Sequence, residues 1–264
     1  MTPLDEIKAL IAQKELFIFD LDGTLFNTLG DLAPAVNYAM TQFSLHTHSN
    51  DDVRTFIGNG SMNLIRRAVA ANFIPVVSTR DMEKVAETLA RENYSEEKIK
   101  EIHKVYSDFY WEYCTENTEP YEGVIELVQR IADENRDGKC AVFNRDENHA
   151  GTRYAAMLTN KPIAPAQKIL KKFGLENSFA TYLCGDTTPE RKPSPAGIYE
   201  ILRQTGIAPE KAIMIGDDTP DVLAAKNAGI DCITLFEGFG KAENLLPLEP
   251  RYTAGHIKDF AEFI

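Results

Sequence analysis

The four cysteines of this chain, Cys114, Cys140, Cys184 and Cys232, stand far apart, with no C-x-x-C pair and no accompanying histidine pattern. That spacing excludes a disulfide-dense scaffold and carries no zinc signature, so they read as buried thiols in a reducing compartment. Long apolar runs are missing too. The N-terminal stretch carries Asp5 and Glu6 and lacks a signal-peptide or membrane-span pattern, while Leu4, Ile7, Leu10 and Ile11 fit one helix face packing on a core. Positive charge is in short supply: 28 Lys and Arg against 40 Asp and Glu give a net charge of -12, a field that disfavours nucleic acid and anionic membranes as partners. No low-complexity tract or solenoid repeat occurs. A cytoplasmic protein, monomer or homodimer, is expected.

At 264 residues the chain suits one core plus a smaller accessory domain. Residues 17–24 read FIFDLDGT, an apolar run that ends in two carboxylates, a glycine and a threonine. Leu16, Phe17, Ile18 and Phe19 predict a buried parallel strand, and ligands of open α/β sheets collect beyond the carboxyl ends of such strands. Asp20 and Asp22 then lie at the edge of a site, and Gly23 lets the backbone turn close to a ligand. Two adjacent anions repel unless a cation joins them, and a hard divalent metal is the natural partner. Residues 213–221, IMIGDDTPD, repeat the pattern, with Thr219 expected as N-cap, Pro220 as the first helical residue and Gly229 just past the helix end. Two further blocks are 156–162, AMLTNKP, a strand ending in Thr159 and Asn160, and 191–195, RKPSP, which sets Lys192 before a helix.

In order and spacing these four blocks resemble the haloacid dehalogenase superfamily of phosphatases. The resemblance implies an α/β fold, a Rossmann-like parallel sheet in three α/β/α layers with an inserted helical cap. It implies Asp20 as nucleophile, Asp22 as general acid and then base, and Thr159 and Lys192 holding phosphoryl oxygens. Mg²⁺ would be held by Asp20, the backbone carbonyl of Asp22, and Asp217, with Asp221 nearby or acting through water. Gly23, Thr24 and Asn160 are expected to line the substrate, a small anionic phosphorylated metabolite.

Core elements are expected over 1–26 and 119–264, and a cap over 27–118 with four helices. Leu32, Val36, Ala39 and Met40 mark the first and Leu64, Ile65, Ala68 and Val69 the second. Ser78 with Asp81 reads as a capping-box-like start of the third, and Ile99, Ile102, Tyr106, Phe109 and Tyr113 stripe the fourth. The cap is similar to that of the phosphoglycolate phosphatase group, at residues 31–37, 53–60, 66–68 and 119–124. Gly58, Asn59 and Gly60 at a helix start suit a small carboxylate or phosphate. The expected activity is therefore a Mg²⁺-dependent phosphomonoesterase, with 2-phosphoglycolate as first choice. A pyrophosphatase, a sugar or nucleotide phosphatase, and a phospho-ligand-binding protein without turnover are the alternatives.

The chain departs from the group at Asn27, where relatives carry aspartate, and at an insert over 138–153. The insert allows a β-hairpin with Arg145, His149 and Arg153. There 140–143, which would put Asn144 in the place of Thr159, competes with 154–158, and the second is preferred because residues 159–162 match better.

Overall fold

The computed structural model describes the backbone of residues 1–136 and 152–264, and the side chains of 1–133 and 152–264. The chain forms two compact units, Met1–Asn27 with Glu119–Ile264, and Thr28–Thr118. It opens with α1 (Leu4–Ile11), β1 (Leu16–Phe19) and β2 (Phe26–Asn27), then runs through α2 (Leu29–Gln42), α3 (Asn50–Phe56), α4 (Ser61–Ala70), α5 (Met82–Arg91) and α6 (Glu96–Tyr113). After β3 (Glu119–Pro120) come α7 (Val124–Arg136), β4 (Tyr154–Leu158), α8 (Ile163–Lys172), β5 (Thr181–Leu183) and α9 (Ala196–Thr205). The chain closes with β6 (Ala212–Gly216), α10 (Thr219–Ala228), β7 (Asp231–Leu235), α11 (Ala242–Leu245) and β8 (Tyr252–Ala254).

The first unit is built on a six-stranded parallel sheet ordered β5-β4-β1-β6-β7-β8. Strand alternation divides its core in two. Phe17, Phe19, Met157, Ile213 and Ile215 pack with residues of α1, α7 and α8, whereas Leu16, Ile18, Ala156, Leu158 and Met214 pack with α9 and α10. Helices on both faces explain why β1, β4 and β6 read as nearly continuous apolar runs. From β1 the chain builds outward through β4 to β5, then returns to place β6 on the other side of β1. The strand order reverses between β1 and β6, where open α/β sheets form their crevice. β2 and β3 pair antiparallel where the chain leaves this unit and returns to it.

Several local expectations need revision. Leu4 is exposed, so the buried face of α1 is Ile7, Leu10 and Ile11. β4 falls where 154–158 was preferred; the rival strand 140–143, with Cys140, Arg145 and His149, lies outside the described residues. Arg153 donates to the carbonyl of Phe263 at 2.9 Å. The short parallel strand β8 was not anticipated. Cys114 and Cys184 are buried thiols, but Cys232 is only partly buried.

The second unit holds five helices, one more than expected. The addition, α3, carries a capping box: the Ser49 hydroxyl accepts from Asp52 N at 3.1 Å and Asp52 accepts from Ser49 N at 3.2 Å. Helix α5 is capped by Asp81, which accepts from Lys84 N; Ser78 instead closes a short 3₁₀ turn on Pro75 O. On α6 the buried stripe is Ile99, Ile102, Tyr106 and Tyr110, with Phe109 stacked on Tyr38 and Tyr113 exposed. Phe109 still packs against this core, partly buried, whereas Tyr113 keeps the same face but is the last residue of α6 and exposed. Gly58, Asn59 and Gly60 all have positive φ, 110°, 59° and 85°, and the Arg67 guanidinium gathers the carbonyls of Phe56 and Gly58 at 2.8 and 3.0 Å.

The two ends of this unit are tied by one carboxylate. Asp31, buried in the first turn of α2, accepts from Asn117 N and Nδ2 and from Thr118 N and Oγ1, at 2.8, 3.1, 2.8 and 2.7 Å. Replacing it by alanine strands the two buried donors of Thr118, while those of the exposed Asn117 can turn to water. Asp31→Ala should lower unfolding free energy by about 3 kcal/mol, read as a shift of the urea midpoint; a change under about 0.5 kcal/mol would show the clasp to be dispensable.

Candidate active site

Asp20 follows β1 directly, its N–H continuing the ladder to Ile215 O at 3.0 Å. Past it the chain tightens: Leu25 N and Phe26 N both donate to Leu21 O, and Gly23 takes φ 89°. This turn leaves Asp20 8% exposed and drives Thr24 inward, where its hydroxyl donates to Asp217 Oδ1 at 2.7 Å. Thr24, expected against the substrate, thus holds a carboxylate.

Asp217 follows β6 and is also buried. Its other oxygen accepts from Phe239 N at 2.7 Å and Gly240 N at 3.3 Å. A Cβ at Gly23 or Gly238 would lie 2.3 Å from the Asp217 side chain and one at Gly240 2.0 Å from its backbone carbonyl, so glycine at these positions lets backbone close around Asp217. One residue on, the cap of α10 is Asp218 rather than Thr219: Asp218 accepts from Thr219 N at 2.8 Å, and Asp221 Oδ2 accepts from Asp218 N at 3.0 Å. This capping box turns Asp221 toward the site and gives Asp218 the helix-end role. Asp20, Asp217 and Asp221 each bring an oxygen within 4.8 Å of the others.

The cations come from the loops after β4 and β5. Lys192 Nζ lies 2.7 Å from Asp20 Oδ1 and 2.6 Å from Asp221 Oδ1, with its side chain 2% exposed. Asn160, expected to touch substrate, instead clasps the Lys192 backbone: Nδ2 donates to Lys192 O at 2.9 Å and Oδ1 accepts from Lys192 N at 3.0 Å. Thr159 is buried, and its Oγ1 accepts from Lys161 N at 3.2 Å. The sequence reading missed Lys161, which reaches Asp22 Oδ1 at 2.8 Å with its side chain 3% exposed. The only signal for it was its place in the Thr159–Pro162 block; nothing local marks one lysine as buried.

Charge at this centre is unbalanced. Asp20, Asp22, Asp217 and Asp221 face the ammonium groups of Lys161 and Lys192, while Asp217 takes its hydrogen bonds from neutral donors. Burial pushes the Asp20 carboxyl up to about 7; Lys192 opposes this, while Asp221 and Asp22 add to it. Burial also holds Asp217 well above the usual carboxylate range, helped by Asp221 and Asp20. For Lys192 burial works against the charge, yet Asp20 and Asp221 outweigh it and raise its pKa. Asp20 Oδ1 is buried and has no aligned hydrogen-bond partner despite its ion pair. An all-oxygen carboxylate set with excess negative charge and such an atom fits a hard divalent cation of the Mg²⁺ kind, which takes one or two carboxylates and keeps open positions for water and phosphate oxygen.

Known proteins share this arrangement of chain. A curated phosphoglycolate phosphatase from Psychrobacter arcticus is 32% identical over 237 residues, 90% of this chain and 90% of that protein. One from Colwellia psychrerythraea is 29% identical over 242 residues, covering 92% and 93%. Among solved structures, that of a predicted phosphoglycolate phosphatase from Haemophilus somnus 129pt superposes with a TM-score of 0.75 at 27% identity, covering 95% of this chain and 97% of that one. The family model for haloacid dehalogenase-like hydrolases matches residues 14–229, which include β1, β4, β6 and every carboxylate and lysine of the site, and the chain belongs to that family.

Proposed function

We propose that this chain hydrolyses small phosphomonoesters through an aspartyl-phosphate on Asp20, with 2-phosphoglycolate as its substrate. The observation that carries the reading is the buried Asp20 carboxylate at the end of β1, 2.7 Å from Lys192 and grouped with Asp217 and Asp221. In the first half-reaction an Asp20 oxygen attacks phosphorus while Asp22 protonates the departing alkoxide. In the second, Asp22 takes a proton from water, the water oxygen bonds to phosphorus, and the bond to Asp20 breaks to release phosphate. Lys192 offsets the repulsion between Asp20 and the incoming phosphate. Because Thr159 Oγ1 accepts from Lys161 N, its own proton is available to a phosphoryl oxygen. Mg²⁺, held by Asp20, Asp217, the Asp22 carbonyl and Asp221 directly or through water, would supply positive charge that keeps Asp20 ionised and balances the phosphoryl oxygens.

The names carried by the full-length relatives favour 2-phosphoglycolate within this chemistry. Gly58, Asn59 and Gly60 keep their expected substrate-selecting role as part of the same proposal. Among the described residues no helix is long and apolar enough to cross a membrane. A cytoplasmic enzyme, monomer or homodimer, acting on a free metabolite accords with that and with the scattered cysteines.

Phosphate release from 2-phosphoglycolate should require added Mg²⁺ and stop with EDTA. Higher kcat/KM on pyrophosphate, a sugar phosphate or a nucleotide would displace 2-phosphoglycolate, and no release from any of them would leave a binding protein.

Asp20→Asn should lower turnover by more than about 10³-fold while stabilising the metal-free fold. The sign follows from the raised pKa. A carboxyl moved from 3.8 to about 7 on folding binds protons more tightly in the native state, so stability falls as pH rises across that window and the whole cost is present above pH 7. Asparagine removes the cost, so the excess stability of Asp20→Asn over the wild type should be about 2 kcal/mol larger at pH 8 than at pH 5. Denaturant titrations in EDTA measure this; a pH-independent difference would contradict it.

A further inference from the structure

We infer that Lys161 is a positioning residue for proton transfer: it holds the Asp22 carboxyl group so that its second oxygen meets the leaving-group oxygen and later the attacking water. The inference rests on the phosphatase reading above.

A carboxyl group that acts as acid and then as base must keep one oxygen on the reaction line through both steps, and an unrestrained Asp side chain rotates away from it. Asp22 lies beyond the last residue of β1, in the turn that Gly23 opens; a bridge to Phe26 and the bond from Gly23 N to Phe26 O fix its backbone but not the rotation of its carboxyl group. Lys161 restrains the carboxyl group from the other side. Its ammonium donates to Asp22 Oδ1 at 2.8 Å, a charge-assisted bond between a side chain 3% exposed and one 17% exposed. A buried lysine gives up close to 2 kcal/mol of rotamer freedom, so its root must be fixed for the contact to orient anything. The root is fixed: Thr159 N donates to Leu183 O at 3.0 Å, Lys161 N to Thr159 Oγ1 at 3.2 Å, and Gly185 N to Lys161 O at 2.9 Å. The bond thus links Asp22 to β4 and β5. With Oδ1 taken by Lys161, Oδ2 exchanges the proton, first giving it to the alkoxide as the phosphorus–oxygen ester bond breaks, then receiving one from water.

Leaving-group dependence separates positioning from phosphate binding. An alkyl phosphate such as 2-phosphoglycolate needs protonation of its leaving group; 4-nitrophenyl phosphate, with a stable phenolate, does not. For Lys161→Gln, kcat/KM should fall about 10–100-fold on the alkyl ester and less than about 3-fold on the aryl ester, with Lys161→Arg recovering part of the loss. In an Asp22→Asn background, Lys161→Gln should cost nothing further. An equal loss on both esters would mean that Lys161 binds phosphate or only supports the fold; wild-type rates for Lys161→Gln, or additive losses in the double variant, would equally overturn the inference. Inactivity of the wild type toward both esters would instead remove the phosphatase reading, and the inference with it.

Discussion

Bringing Asp20, Asp217 and Asp221 within 4.8 Å of one another, out of water, is the constraint on which the first unit depends. Like charges so placed raise one another's pKa and weaken the fold unless something answers them. The chain answers in three ways. Lys192 bridges Asp20 and Asp221; neutral donors from Thr24, Phe239 and Gly240 take both oxygens of Asp217; and the capping box of α10 uses the second oxygen of Asp221. These contacts reduce the repulsion without removing it, since Asp20 and Asp217 still stand well above the usual carboxylate range. The residual cost is what a bound cation would relieve, so part of it would return as affinity for the cation.

Sheet topology puts those groups together before any side-chain contact does. β1 and β6 are parallel neighbours in register, Phe19 beside Ile215, so the residues that follow them leave the sheet side by side. β4 pairs with β1 on the other flank and delivers the turn Thr159–Lys161 to the same edge. That turn connects the whole centre: Asn160 fixes the backbone of Lys192, which faces Asp20, and Lys161 reaches Asp22. Two consecutive residues therefore hold groups that come from two distant parts of the chain.

How much of this was legible in the sequence depended on how local each signal is. The apolar runs of β1 and β6 and the carboxylates behind them are contiguous, so Asp20, Asp22, Asp217 and Asp221 stand out in the sequence together with the α/β class itself, and three of them cluster in the structure. Position in a block did not reveal partner. Thr24 and Asn160 were placed against the substrate because they stand in the right segments, yet their polar atoms serve Asp217 and Lys192. Lys161 was passed over because lysine is ordinarily solvated, and its burial is decided by Asp22, 139 positions away. The extra helix α3 had a readable start in Ser49 and Asp52 but spans only 7 residues, too few for a hydrophobic period to stand out.

Close backbone packing makes the centre intolerant in a particular way. Gly23, Gly238 and Gly240 come from two loops, one after β1 and one after β7, and each would drive a Cβ into Asp217. The carboxylate is thus held by shape as well as by hydrogen bonds, with main-chain amides as donors, whose positions cannot change by rotating a side chain. Lys192 and Lys161 are long, buried side chains whose positions follow from the loops that anchor them. Under the proposed function, a metal ligand held by rigid backbone would keep its geometry while substrate comes and goes, with Lys192 and Lys161 holding the phosphate-facing and proton-transfer groups beside it.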